Sequence, residues 1–290
     1  MTTTLAIIGP GAIGGTLAAW LTQVPDQTVT LCARSPMDEL VVRVPGGGAI
    51  EARPQVLVDP ARAVPVDWVL ATTKTYDTDG ARRWIAKLLG PRTCVAIIQN
   101  GVEHLQRFAD LVPPERALPV IIDIPAERTA PGRIRQRRHG SITAPSGALG
   151  QRFAALFAGT PLAPELTDDF LSAAWRKLAL NSAAVVSALT QRPAGVVQNA
   201  GAAALMRAIA QESVLVGRAM GARLADTLPD EVLERLRASA PESINSLLAD
   251  RLAGRPLEVD ARNGVIVRLG AQHGIATPLN AMAVAILEAL

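Results

Sequence analysis

Lysine is almost missing from this chain. Of its 29 lysines and arginines only Lys74, Lys87 and Lys177 are lysine. Arginine serves any purely electrostatic purpose but cannot release a proton near neutrality, whereas lysine can, and offers a compact charge. Each lysine is therefore a candidate for a task arginine cannot perform. Cysteine is scarce too. Cys32 and Cys94 each lie in an apolar, strand-like run, which reads as two core thiols rather than a disulfide or redox pair. His104, His139 and His273 stand singly, without ligand spacing, so no metal site is expected. Aromatics make up 3% of the chain, and the basic run 133–138 contains none. With no ring to stack on a base, that run reads as a solvated hairpin rather than a nucleic-acid patch. No apolar run reaches the roughly 18 residues of a membrane span. The opening Met1-Thr2-Thr3-Thr4 has no basic segment ahead of its apolar residues, so no signal peptide and no membrane partner are expected. Together these absences point to a cytoplasmic protein.

What is present is a chain of 290 residues, 49% hydrophobic, with a modest net charge of +3. That length and composition suit two domains with substantial cores. The first half alternates strand-like runs at 5–8, 28–33, 55–58, 68–71, 94–98 and 118–124 with helical segments starting near Ile13, Thr78 and Glu103. This is the pattern of a parallel sheet covered by helices. The stretch 132–144 reads as an antiparallel hairpin at the sheet edge, followed by a helix around 151–158. Beyond Asp168 the strand signals fade and apolar-periodic segments take over at 169–187, 202–220, 231–237, 259–273 and 279–290. The expectation is an α/β fold, with a Rossmann-like domain at 1–167 and an all-α domain at 168–290. The helical domain could support a homodimer.

The run Leu5-Ala6-Ile7-Ile8-Gly9-Pro10-Gly11-Ala12-Ile13-Gly14 carries the most specific local signal. In a G-x-G-x-x-G turn, Gly9 allows the sharp bend, Gly11 the approach of a pyrophosphate, and Gly14 close packing of helix on strand. The N–H groups of Ala12 and Ile13 at the helix start supply the anion site. Where the second strand ends, a dinucleotide fold that prefers NAD carries an acid on the ribose. Here Arg34 stands there, and a guanidinium suits a 2′-phosphate, which points to NADP(H).

Three further stretches bear chemistry. Thr72-Thr73-Lys74 and Gln99-Asn100-Gly101 each follow an apolar strand, where loops face the ligand crevice. In Trp175-Arg176-Lys177-Leu178-Ala179-Leu180-Asn181, Lys177 and Asn181 share one face of a mostly apolar helix, as residues lining a cleft would. These motifs, with Ser246 in SINSLLAD, Glu258 in LEVDARNG and the late HGIATPLN, are ordered as in the ketopantoate reductase family, which the chain resembles over nearly its full length. That family is similar to the 6-phosphogluconate dehydrogenase superfamily in pairing a Rossmann domain with a helical one.

The resemblance implies an NADPH-dependent reductase of a 2-oxo acid. Lys177 would donate the proton and Glu258 would orient it. Ser246 would take the substrate carboxylate and Asn181 a substrate hydroxyl. Asn100 would lie between cofactor and substrate, and Lys74 would help close the cleft. The family's further substrate asparagines are replaced by Val185, Ala194 and Ser243, which leaves the substrate open between ketopantoate and a related acid. A related dehydrogenase for another hydroxy acid is one alternative. A non-catalytic NADP(H)-binding sensor or scaffold is another, disfavoured by the retained Lys177 and Glu258. A flavin protein is disfavoured further.

Overall fold

The computed structural model describes residues 2–289, which form two compact units. Residues up to 99 and Glu103–Asp168 make the first, while Asn100–Val102 belongs with the chain from Asp169 onward in the second. Among the described residues no helix is long and apolar enough to cross a membrane.

The first unit runs β1 (Thr3–Ile8), α1 (Ala12–Leu21), β2 (Gln27–Cys32), β3 (Leu40–Arg43), β4 (Ala49–Ala52), β5 (Gln55–Leu57) and β6 (Trp68–Ala71). It continues through α2 (Thr78–Leu88), β7 (Cys94–Ile97), β8 (Ala117–Pro119), β9 (Ile121–Asp123) and β10 (Ala126–Ala130). β11 (Arg133–Gln136), β12 (Ser141–Pro145), α3 (Ala148–Ala155) and β13 (Glu165–Thr167) complete it. Six strands form a parallel sheet in the order β5-β2-β1-β6-β7-β8. Counted along the chain that order is 3-2-1-4-5-6, the doubly wound dinucleotide-binding topology. Every residue of β6 and β7 is buried, because helices cover a parallel sheet on both faces. α1 packs Leu17, Ala18 and Leu21 with Leu5, Ile7, Leu31 and Leu70. α2 places Ala81, Trp84, Ile85 and Leu88, spaced three and four apart, with Val69, Ala71, Val95 and Ile97.

Several expectations change here. The basic run does not turn back on itself toward 144. β11 pairs instead with β10 and with β3, in a second sheet of order β10-β11-β3-β4, and β12 pairs with β9 and β13 in a third. The hairpin turn therefore falls at Pro131-Gly132, where φ of +68° at Gly132 suits glycine. The run 118–124 breaks at Val120 and serves two sheets. A helix from Glu103 is reduced to one 3₁₀ turn, Gln106–Phe108. Cys32 and Cys94 are free and buried, and burial pushes the Cys32 thiol up to about 12.

The second unit is helical: α4 (Phe170–Ala183), α5 (Val185–Thr190), α6 (Ala200–Ala219), α7 (Leu228–Arg237), α8 (Ser246–Leu252), α9 (Val265–Gln272) and α10 (Pro278–Glu288). Asp169 caps α4, accepting the Ser172 N–H at 3.2 Å. The expected helix at 259–273 contains a π segment, Asp260–Gly264, ahead of α9. Trp175, Leu178, Ile209, Val214, Val265 and Ile266 are among the residues of its apolar core. α8 lies outside the expected segments, because seven residues with one dominant apolar pair give little periodicity to read.

Candidate functional site

In the first unit the order of the parallel sheet reverses between β1 and β6, and the predicted loops follow those two strands. Gly9 adopts φ of +83°, and a Cβ there would stand 2.9 Å from Thr73 Cγ2. Thr72 Oγ1 lies 2.8 Å from the Ile8 carbonyl and 2.9 Å from that of Gly9, and donates to them. A Cβ on Gly14 would collide with Thr72 Oγ1 and the Gly9 carbonyl. Thr72 thus braces the glycine turn from the neighbouring strand, a role its sequence position does not reveal. Gly11 is different. A Cβ there would have no neighbour nearer than the Gly9 carbonyl at 3.9 Å, so the space beyond it is open. Its own N–H is used, donating to Gly9 O at 2.7 Å. No side chain caps α1, so the first-turn amides of Ala12 and Ile13 face outward without intrahelical acceptors. An open cradle at an uncapped helix start fits a dinucleotide pyrophosphate.

Arg34 lies just beyond β2, exposed. The nearby acid Glu39 is engaged by Arg133 at 2.9 Å. Lys74 is half-buried at the start of the 3₁₀ turn Thr75–Asp77. Gln99, one residue from Asn100, is a brace. Its Nε2 donates to Thr73 Oγ1 at 3.0 Å, and its carbonyl accepts from His104 Nε2–H at 2.9 Å. Burial, with Arg107 nearby, pushes His104 down to about 3, so its ring is neutral.

The second unit gathers the other predicted residues. Asn100, 158 positions from Glu258, donates from Nδ2 to Glu258 Oε2 at 2.9 Å. Glu258 is 4% exposed and immediately precedes the helix that includes the π segment. Lys177 and Asn181 are half-buried on α4, one turn apart, between the buried Trp175, Leu178, Ala179 and Ser182. Ser246 is exposed as the first residue of α8. The residue before it does the capping: Asn245 Oδ1 accepts the Leu248 N–H and Nδ2 donates to the Ala184 carbonyl, both at 3.0 Å.

The positions that depart from the family pattern are also placed. Val185 is wholly buried in the apolar core. Ala194 and Ser243 meet through backbone, the Ala194 N–H donating to the Ser243 carbonyl at 2.8 Å. Neither side chain there is an amide.

Two residues beside the predicted set were not foreseen. Arg262, 2% exposed, donates from Nη2 to the Asn181 carbonyl at 2.6 Å. Asn263, wholly buried, donates to the Ser182 carbonyl at 3.3 Å and to Asn280 Oδ1 at 2.9 Å. Burial pushes the Arg262 guanidinium down to about 10, opposed by the negative charges of Glu258 and Asp250. A charged residue inside the apolar-periodic run 259–273 was the available signal.

Residues 5–149 match the family described as ketopantoate reductase PanE/ApbA, and residues 169–290 match the C-terminal part of that family. A 2-dehydropantoate 2-reductase of Caulobacter vibrioides is 57% identical over 287 residues, 99% of each chain. One from Mycobacterium tuberculosis is 37% identical over 290 residues, 100% of this chain and 98% of that one. The solved 2-dehydropantoate 2-reductase of Geobacter metallireducens, 28% identical, gives a TM-score of 0.91 over 98% of this chain and 99% of that one.

Proposed function

Since the chain belongs to the ketopantoate reductase PanE/ApbA family, we propose that it reduces a 2-oxo acid to the 2-hydroxy acid with NADPH. Ketopantoate is the first candidate substrate, as the names of its relatives suggest. Residues 1–167 hold the cofactor and 168–290 hold the substrate and the proton donor. The observation that carries the reading is the Asn100–Glu258 hydrogen bond. It fixes a buried carboxylate in the unit that also carries Lys177 and Asn181.

Bound NADPH supplies a hydride for the keto carbon. Negative charge then develops on the keto oxygen, where the Lys177 ammonium stabilises it and donates the proton. Glu258 keeps Lys177 protonated, because a neighbouring negative charge favours the ammonium form. Asn100 holds Glu258 in one orientation. Ser246 takes the substrate carboxylate and Asn181 a substrate hydroxyl. On the cofactor side the amides of Ala12 and Ile13, with Gly9, Gly11 and Gly14 shaping the turn, hold the pyrophosphate. Arg34 takes the 2′-phosphate, and Lys74 closes the cofactor or substrate side of the cleft.

A second reading concerns the substrate alone. Val185 is core, and Ala194 and Ser243 carry no amide, which favours a 2-oxo acid without the 4-hydroxyl of ketopantoate. The test is NADPH consumption by the purified protein with ketopantoate beside its analogue lacking that hydroxyl. Turnover of either supports the reductase. A preference for the analogue supports the second reading, and tight NADPH binding with no turnover of any 2-oxo acid would establish the sensor alternative instead. We propose further that the protein works in the cytoplasm as a homodimer. Exposed Leu215, Met282 and Ile286 on the helical unit support the dimer, and light scattering checks it.

A further inference from the structure

Among the described residues Arg262 is the only lysine or arginine that is buried. Burying a charge is costly unless other charges and hydrogen bonds compensate it, so its presence in this interior asks for a physical reason. Capping α4 is part of it. The last carbonyls of a helix lack intrahelical donors, and Arg262 serves that of Asn181 while its neighbour Asn263 serves that of Ser182. A cation also suits the negative end of a helix dipole. Yet Asn263 performs the same capping with a neutral amide, one residue away, so capping alone does not require a guanidinium. Nor are its donors saturated by structural bonds, because Nε has no protein partner. What the guanidinium adds is charge, and the opposite charges it feels are Glu258, one helical turn before it, and Asp250. Asp250 is already bonded by Arg255 at 2.9 Å. Glu258 has the neutral Asn100 as donor, with Lys177 assigned to it in the proposed reaction.

We infer that Arg262 is a positioning residue. It ties the turn that presents Glu258 to the C-terminal half of α4, which carries Lys177 and Asn181, and supplies the buried positive charge that holds Glu258 as a carboxylate. The π segment Asp260–Gly264 is the local device. Its wider turn departs from ordinary helical spacing, as such bulges often do at functional sites, and it contains both capping residues.

The inference rests on the role proposed for Glu258, so its test separates the two. In the cofactor-free protein labelled with ¹³C at glutamate carboxyls, the Glu258 resonance is assigned by its loss in Glu258→Gln and titrated. In Arg262→Met its midpoint moves up by about one pH unit or more, because an opposing charge that favoured the carboxylate is gone. Arg262→Lys keeps the charge and restores the midpoint. An unchanged midpoint in folded Arg262→Met overturns the inference whatever the turnover. If Arg262→Met does not fold, Arg262→Gln against Arg262→Lys decides, and equal midpoints overturn it. In turnover assays the acid limb of kcat moves in the same direction, while the Kd for NADPH stays constant. Absence of turnover in the unmodified protein would sink the reductase reading and leave the titration result standing.

Discussion

His104 in the first unit and Arg262 in the second are both bases enclosed by protein, and burial pushes both toward the neutral form. They end in opposite states. His104 has Arg107 as its charged neighbour, so it gives up its charge and spends its Nε2–H on the Gln99 backbone carbonyl. Arg262 has Glu258 and Asp250 opposing its desolvation, and stays a cation at neutral pH. Among the described residues the interior of the first unit thus holds no lysine, arginine, aspartate or glutamate, and its backbone amides are the groups proposed to hold an anion. The second keeps charge inside, with Glu258 and Asp250 compensating Arg262, as the proposed proton transfer to a growing oxyanion would use. On the proposed roles, the first unit binds and the second reacts.

The sharpest way to break that contrast is Lys177→Ala. On the role proposed for Lys177, its loss lowers turnover by roughly 10²–10⁴-fold, while NADPH affinity, read by fluorescence titration, is unchanged. A matching loss of NADPH affinity would end the division of labour. Arg34→Ala tests the binding side. Removing a charge-assisted contact weakens NADPH binding by roughly ten- to hundredfold and leaves NADH binding as it was. Equal weakening of both cofactors would take the 2′-phosphate away from Arg34.

Near neutral pH the His104 effect is the smallest of the three, and it grows only on acidification. Its folded pKa of about 3 lies below the ordinary 6.5, so the unfolded chain takes up a proton before the folded one does. Its contribution to stability is therefore full above about pH 6.5. It is lost as pH falls toward 3, at about 1.4 kcal/mol per pH unit. Denaturant melts across that window should show the slope, and His104→Gln should flatten it. A slope that persists in the variant would assign the acid sensitivity to other groups.

The parallel sheet was legible because its central strands β6 and β7 are wholly buried and its strands read as short apolar runs between turns. The edge elements were not. β3 alternates buried and more exposed residues over four positions, β4 has no buried residue, and β11 carries charges on its exposed face. Their pairing is decided by neighbours far along the chain, such as β3 with β11. At the site, the glycine turn, Arg34 and the Lys177–Asn181 face could be read from spacing. Glu258 and Ser246 came from family resemblance. Thr72 and Arg262 emerged only once their carbonyl partners were in view.

Local spacing alone determined that residues 5–14 turn from strand to helix around glycines. It also determined that Lys177 and Asn181 face one way, because backbone conformation and helical period act over a few residues. Tertiary structure decided which groups meet: Asn100 with Glu258, Thr72 with Gly9, and Arg262 with the end of α4. Burial and Coulomb interaction depend on three-dimensional surroundings, so the lowered pKa of His104 or Arg262 exists only in the folded chain.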